Sequence, residues 1–185
     1  MNLNLPNILT ILRILLIPFF IIVFAVPSVS RSNWAAIIFI LASLTDWIDG
    51  YLARKFGQVT LSGKLLDPVA DKLLVLSALI MLVELHRVPS WLAIVIIGRD
   101  TAITGLRAIA SSTGVVIAAK EIGKMKTIVQ IIALVFLILD YPVFFGSRVI
   151  NLHTIGTVIL WYSAILAIIS AGDYIIRFWI SVKRA

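Results

Sequence analysis

Apolar residues along this chain come in long runs, and each run ends in a short cluster of charged, Gly, Pro or Ser residues. Between Leu5 and Val26 only Pro6, Asn7, Thr10, Arg13 and Pro18 interrupt the hydrocarbon side chains. A run of about 20 residues is what an α-helix needs to cross the hydrocarbon core of a bilayer. The pattern predicts six such helices, at about 5–26, 33–54, 66–86, 90–112, 121–141 and 153–178. The segments between them are short, so successive helices run antiparallel, and none is long or polar enough to form a soluble domain. The expectation is one all-α, polytopic membrane domain of six transmembrane helices covering residues 1–185.

Composition agrees with the pattern. Hydrophobic residues make up 61% of the chain and charged ones 14%, against roughly 25% charged in an ordinary soluble domain. The opening MNLNLPNILTILR lacks the basic n-region of a cleavable signal peptide and places Arg13 where an h-region would be apolar. There is no cysteine, which excludes disulfides, thiolate metal ligands and cysteine nucleophiles. No internal repeat or low-complexity tract is apparent.

The net charge of +7 matters less than its distribution. With a cytoplasmic N-terminus, Arg13, Arg54, Lys55, Lys64, Lys72, Arg99, Arg107, Lys120, Lys124, Lys126, Arg177, Lys183 and Arg184 fall on or near the inner side. Arg31, Arg87 and Arg148 fall on the outer side. That asymmetry predicts both termini in the cytoplasm. The cations fringe helix ends without forming a continuous basic face, so nucleic acid is not an expected partner. Trp34, Trp91 and Trp179 lie near helix ends, as interfacial anchors do. His86 and His153 fall on the outer side and read as interfacial residues.

Against this background the stretch TDWIDGYLARKFGQVTLSGKLLDPVADK, Thr45 to Lys72, stands out for its four aspartates. Charge at membrane depth is costly unless it is compensated or wet. Asp46 and Asp49, at i and i+3, share one face of helix 2 near its inner end; Asp67 and Asp71, at i and i+4, share one face of helix 3 near its inner start. Gly57 and Gly63 punctuate the link between them, so the four acids are expected to converge at the cytoplasmic side. Carboxylates brought that close would be forced to protonate without counter-charge. Oxygen-only ligands suit Mg²⁺ or Mn²⁺, and two such ions bridged by carboxylates are a known arrangement for phosphoryl displacement. Two other readings stay open on these residues alone: an ordinary polar helix end paired to Arg54, Lys64 and Lys72, and a cation pathway through the bilayer. Gly50 and Ala53 leave a concave helix surface against which a flat nucleobase could lie, and Arg54 can offer a phosphate its planar fork of donors. Tight helix packing would also use such small residues.

Taken together, Asp46-x2-Asp49-Gly50-x2-Ala53-Arg54-x8-Gly63-x3-Asp67-x3-Asp71 resembles the complete signature of the CDP-alcohol phosphotransferase family, with no departure at any position. The resemblance implies a six-helix membrane fold, usually a homodimer, that moves a phosphatidyl or similar group from a CDP-linked donor to an alcohol and releases CMP. It implies that Asp46, Asp49, Asp67 and Asp71 hold two metal ions per active site. Asp71 would also be the general base, and Gly50, Arg54 and Thr60 would contact the CDP part of the donor, beside Ala53 and Gly63. The N-terminal Pro6-Asn7-Ile8-Leu9-Thr10-Ile11-Leu12-Arg13 also resembles the family's start, which puts Asn7 and Thr10 near the nucleotide diphosphate.

A second segment, Gly98 to Gln130, resembles the corresponding region of the bacterial phosphatidylglycerophosphate synthases within that family. The likeness is carried by Arg99, Leu106-Arg107, Ala119 and Gly123-Lys124-x-Lys126-Thr127-x2-Gln130. One departure is Arg99-Asp100 where the family has Arg-Glu, which shortens one acid and leaves its partner open. Arg107, Lys124 and Lys126 would surround the same mouth as the aspartates and could hold a second anion, with Arg99 a fourth member. The expected reaction joins CDP-diacylglycerol and glycerol 3-phosphate at the cytoplasmic face of the inner membrane. The rivals are another acceptor (inositol phosphate, serine or phosphatidylglycerol) and, outside enzymes, a divalent-cation transporter.

Overall fold

A computed structural model describes residues 5–26, 28–55, 61–112, 121–145 and 148–182. Within these, the side chains of residues 5–9, 46–55, 61–68, 71, 121–122, 124, 145, 148 and 182 lie outside the description. Six helices follow in order: α1 Leu5–Phe24, α2 Val29–Lys55, α3 Leu61–Glu84, α4 Ser90–Ser112, α5 Glu121–Leu139 and α6 Leu152–Val182. All six match the sequence pattern, with shifted ends. Helix α3 begins at Leu61 rather than 66, so Gly63 lies inside its first turn instead of punctuating the link. Helix α2 begins at Val29, ahead of the apolar run, because Ser28 Oγ accepts a hydrogen bond from the Arg31 backbone N–H at 3.2 Å and caps the helix.

The pattern did not suggest the short hairpin between α5 and α6. Strands β1 (Pro142–Phe145) and β2 (Arg148–Asn151) pair antiparallel, with Val143 opposite Ile150 and Phe144 opposite Val149. Its signal was available in the β-branched and aromatic residues on either side of Gly146-Ser147.

The core is aromatic at one end and aliphatic through the middle. Phe20 and Phe24 of α1 and Phe39 of α2 are wholly or almost wholly buried, with ring centroids 5.5 Å apart for Phe20–Phe24 and 6.0 Å for Phe20–Phe39. Leu79 and Leu82 of α3, and Leu134, Leu137 and Ile138 of α5, complete it. The most extensive helix pair is α5 with α6, and α1 packs along both α2 and α3. At Gly156 a Cβ would lie 2.8 Å from Leu137 Cγ and 3.0 Å from the Leu137 backbone N, so glycine is what lets α6 approach α5.

The outward faces are apolar as well. Leu15, Ile22, Ile94, Ile128, Val158 and Ile176 are all exposed, a surface that water would not favour at this extent. Among the described residues, the α6 span Leu152–Ser181 is both long and apolar enough to cross a bilayer, with shorter apolar helices at Thr10–Phe24, Val29–Thr45 and Met125–Leu139.

At the α3–α4 turn, a helix cap sets up a charged staple. His86 adopts φ 57°, and the Arg87 N–H reaches back to Leu82 O at 2.8 Å, as in a Schellman cap. This directs Arg87 at the end of α5, where its Nη1 donates to Leu137 O and Ile138 O at 3.2 and 2.6 Å and its Nε pairs with Asp140 Oδ2 at 2.8 Å. Asp140 itself sits at φ 49° and meets His153 Nδ1 at 2.6 Å, so three connections are tied at one point. His153 is therefore a structural partner rather than an interfacial residue alone. Burial lowers the Arg87 guanidinium pKa from its ordinary value, and Asp140 opposes that shift. Arg87→Met should destabilise the protein by about 1–3 kcal/mol, because it leaves two α5 carbonyls without their donor and Asp140 with His153 alone. Thermal unfolding in detergent checks this; a midpoint equal to wild type would show that the staple contributes nothing.

Candidate active site

The four aspartates ride on two adjoining helix ends. Asp46 and Asp49 lie in the last three turns of α2, Asp67 and Asp71 in the first three turns of α3, and the two helices are in contact. At 1.5 Å rise per residue, Asp49 and Asp67 are each about 9 Å from the α2–α3 connection, and Asp46 and Asp71 about 14–15 Å. The chain thus sets the acids in two level pairs. Their carboxylates, and the side chains of Asn7, Ala53, Arg54 and Lys124, lie outside the described side chains; Gly50 and Gly63 are described by their backbone alone, and Thr60 lies outside the described residues altogether. The donor set is four carboxylates with no sulfur available anywhere in the chain except methionine, which fits a hard divalent ion.

Helix α1 lies against both of these helices. Its Thr10 is 1% exposed and Arg13 fully buried, and each engages another group. Arg13 is the sole charge in α1. Its burial at i+3 from Thr10 puts these two polar side chains of the Pro6–Arg13 motif on one buried face of α1.

The structure brings together two of the four cations expected to bind the acceptor, and it supplies the partner that the Arg99-Asp100 departure had left open. Asp100 receives Arg99 Nη1 on Oδ1 at 2.9 Å and Lys126 Nζ on Oδ2 at 2.5 Å. Arg99 Nε also donates to Ala167 O of α6 at 2.8 Å, locking α4 to α6. One carboxylate thus holds two cations of the expected set in place. Arg107 stands apart, exposed, with its guanidinium 5.6 Å from the Tyr174 ring centroid.

Between α3, α4 and α5 lies a cavity of about 200 Å³, bounded by Lys72, Leu76, Asp100, Thr101, Lys126 and Gln130 among others. Lys72 follows Asp71 in sequence, so along α3 the cavity lies at the height of Asp71, on the face that carries Lys72, Leu73 and Leu76. Gln130 is 1% exposed and its Oε1 has no hydrogen-bond partner.

A family model described as CDP-alcohol phosphatidyltransferase matches residues 3–183. The chain belongs to that family. Members with similar sequences include the CDP-diacylglycerol--glycerol-3-phosphate 3-phosphatidyltransferase of Bacillus subtilis, 43% identical over 98% of both chains. Proteins of the same name from Rickettsia typhi and Haemophilus influenzae are 41% and 42% identical, covering 92% and 95% of this chain and 94% and 93% of their own. The resemblance inferred from the aspartate signature and the Gly98–Gln130 segment is therefore borne out at the level of family and of named relatives. As a CDP-alcohol phosphatidyltransferase, the chain has use for a metal-binding carboxylate set, a nucleotide contact surface and an acceptor pocket. The α2–α3 ends, α1 and the α3–α4–α5 cavity are the candidates for these three parts in turn.

Proposed function

We infer that this protein transfers the phosphatidyl group of CDP-diacylglycerol to sn-glycerol 3-phosphate, forming phosphatidylglycerophosphate and CMP. The observation that carries the reading is similarity along nearly the whole chain to relatives named for that reaction. Asp71 takes the proton from the C1 hydroxyl of glycerol 3-phosphate as that oxygen attacks the β-phosphorus of the donor, and the bond from that phosphorus to the CMP oxygen breaks. Asp46, Asp49, Asp67 and Asp71 would hold two Mg²⁺ or Mn²⁺ ions, which when bound supply charge stabilisation to the attacked phosphoryl group and to departing CMP. Asn7, Thr10, Gly50, Ala53, Arg54, Thr60 and Gly63 bind and orient the CDP end. Arg107, Lys124, Lys126 and Arg99 offset the negative charge of the acceptor phosphate, which four carboxylates and a diphosphate would otherwise repel.

Membrane placement follows from the same residues. The apolar outward faces and the 13-to-3 inward bias of the basic residues support six crossings of the inner membrane, with both termini and the site facing the cytoplasm. Lipid tails then enter sideways between helices, and a homodimer is the assembly that the family resemblance supports.

The test is CMP release by the purified protein from CDP-diacylglycerol, with glycerol 3-phosphate, inositol phosphate, serine and phosphatidylglycerol offered separately and the lipid product identified. Glycerol 3-phosphate should give the highest kcat/KM. Serine outcompeting it would move the protein to another branch of the family, and no CMP release with any acceptor would favour the transporter reading.

A further inference from the structure

At the end of α2 opposite to the aspartates, one positive charge has nothing in the chain to balance it. Arg31 stands in the first turn of α2, where the unsatisfied backbone N–H groups already make the helix end partly positive, and that turn contains no acid. The first acidic residue of the whole chain is Asp46, about 22 Å further along the helix. Arg31 is exposed, and among the described residues no side chain pairs with its guanidinium; its backbone N–H is what bonds Ser28 Oγ. A cation at the positive end of a helix favours an anion supplied from outside the chain.

We propose that an anionic phospholipid occupies the groove beneath Arg31, with one acyl chain between α1 and α2 and its phosphate on the guanidinium; this rests on the bilayer placement made above and not on the reaction. Two helical stripes build the groove. On α2, Arg31, Trp34, Ile38 and Leu41 recur at i, i+3, i+7 and i+10, and on α1, Phe19, Ile22 and Val23 recur at i, i+3 and i+4, so each set lines one face. The groove encloses about 600 Å³, and at roughly 30 Å³ per water-sized group that is room for about twenty such groups. Below Trp34 every lining side chain is hydrocarbon, which suits a fatty chain and offers a polar ligand no partner. From Arg31 to Leu41 the helix rises about 15 Å, half of a hydrocarbon core of about 30 Å. A chain held there spans one leaflet, with its phosphate at the level of Arg31 and Trp34, residue types that settle among headgroups. The headgroup is anionic rather than zwitterionic, because no carboxylate stands on α1 or the first half of α2 to receive an ammonium. A second copy packed on this face about a twofold axis normal to the bilayer would set two Arg31 side chains at one depth with no acid from either stripe between them, so a lipid is the better occupant.

Trp34 reports on the site directly, because a brominated acyl chain quenches the fluorescence of an indole that it touches. The full-length protein is reconstituted into bilayers of brominated phosphatidylcholine containing a rising fraction of unbrominated phosphatidylglycerol, or of unbrominated phosphatidylcholine as the reference. The Trp34 signal is the difference between wild type and Trp34→Phe. Phosphatidylglycerol should displace the brominated chain about fivefold more effectively than the reference, the advantage that one basic residue confers on an anionic lipid. Arg31→Gln should bring that preference to about one, and Arg31→Lys should keep most of it. Val23→Phe, which fills the groove and leaves the charge in place, should also bring the preference close to one. A preference lost in Arg31→Gln but kept in Val23→Phe would show a surface cation collecting anionic lipid with no seat for its chain, which overturns the proposal. If Val23→Phe is not recovered folded, Ile37→Phe on the exposed wall of the groove carries the same test. A Trp34 that no brominated lipid quenches, while other tryptophans are quenched, would place a second copy on this face and overturn the proposal as well. A protein with none of its tryptophans quenched would remove the bilayer placement itself, a result distinct from the others.

Discussion

Asp71→Asn should lower kcat by about 10²- to 10⁴-fold, the range that a positioned general base contributes. Asparagine keeps the size and shape of the side chain but cannot take the proton from the attacking hydroxyl. The loss therefore falls on the transition state, with KM for both substrates changing far less than kcat. Replacing one acid by a neutral amide also removes charge from a membrane-facing bundle, so expression and thermal stability should not fall. Single-turnover release of CMP, with acceptor saturating, reads the chemical step directly. A variant retaining more than a tenth of wild-type turnover would exclude Asp71 as the base and shift attention to another of the four carboxylates.

Removal of divalent metal should abolish turnover altogether, and Mg²⁺ or Mn²⁺ should restore it, with Zn²⁺ poorly effective at an oxygen-only site. The physical basis lies in the spacing of the acids along α2 and α3. Two level pairs of carboxylates on touching helices repel one another and the diphosphate of the donor, so without cations the donor has no reason to settle there. A readout independent of catalysis is available, since an ion that binds only the folded state raises the unfolding temperature in proportion to the logarithm of its concentration. Adding Mg²⁺ to chelator-treated protein should therefore raise the midpoint, and Asp67→Asn should blunt that rise. Undiminished turnover in excess chelator after exhaustive dialysis would refute the two-metal reading.

The six helices were legible in the chain because long apolar runs are a strong and redundant signal. Changing a few residues in any run would not have hidden it. The ends were less legible, since a helix can start several residues ahead of its apolar run when a serine caps it, as Ser28 does for α2, and can absorb a glycine such as Gly63. The β1–β2 hairpin was missed because four-residue strands carry too little pattern to compete with the apolar helices beside them.

For the site, the sequence by itself determined the family and the order of its candidate residues along the helices. Eight residues in fixed spacing between Asp46 and Asp71 carry the resemblance to the family, and helix geometry alone places the acids on common faces, because both properties are local to the chain. Only the tertiary structure could decide which cations remain available and which polar groups lack a partner. Lys126 and Arg99 are 27 residues apart in sequence, yet both rest on Asp100. Arg87, fifty and fifty-one residues before the carbonyls it caps, ties α5 to the α3–α4 turn. Gln130 looks like any polar residue in a helical run until helix packing buries it and leaves its Oε1 without a hydrogen-bond partner. Pairing, burial and empty space are properties of packed helices, and a linear pattern that records only each residue's own polarity does not contain them.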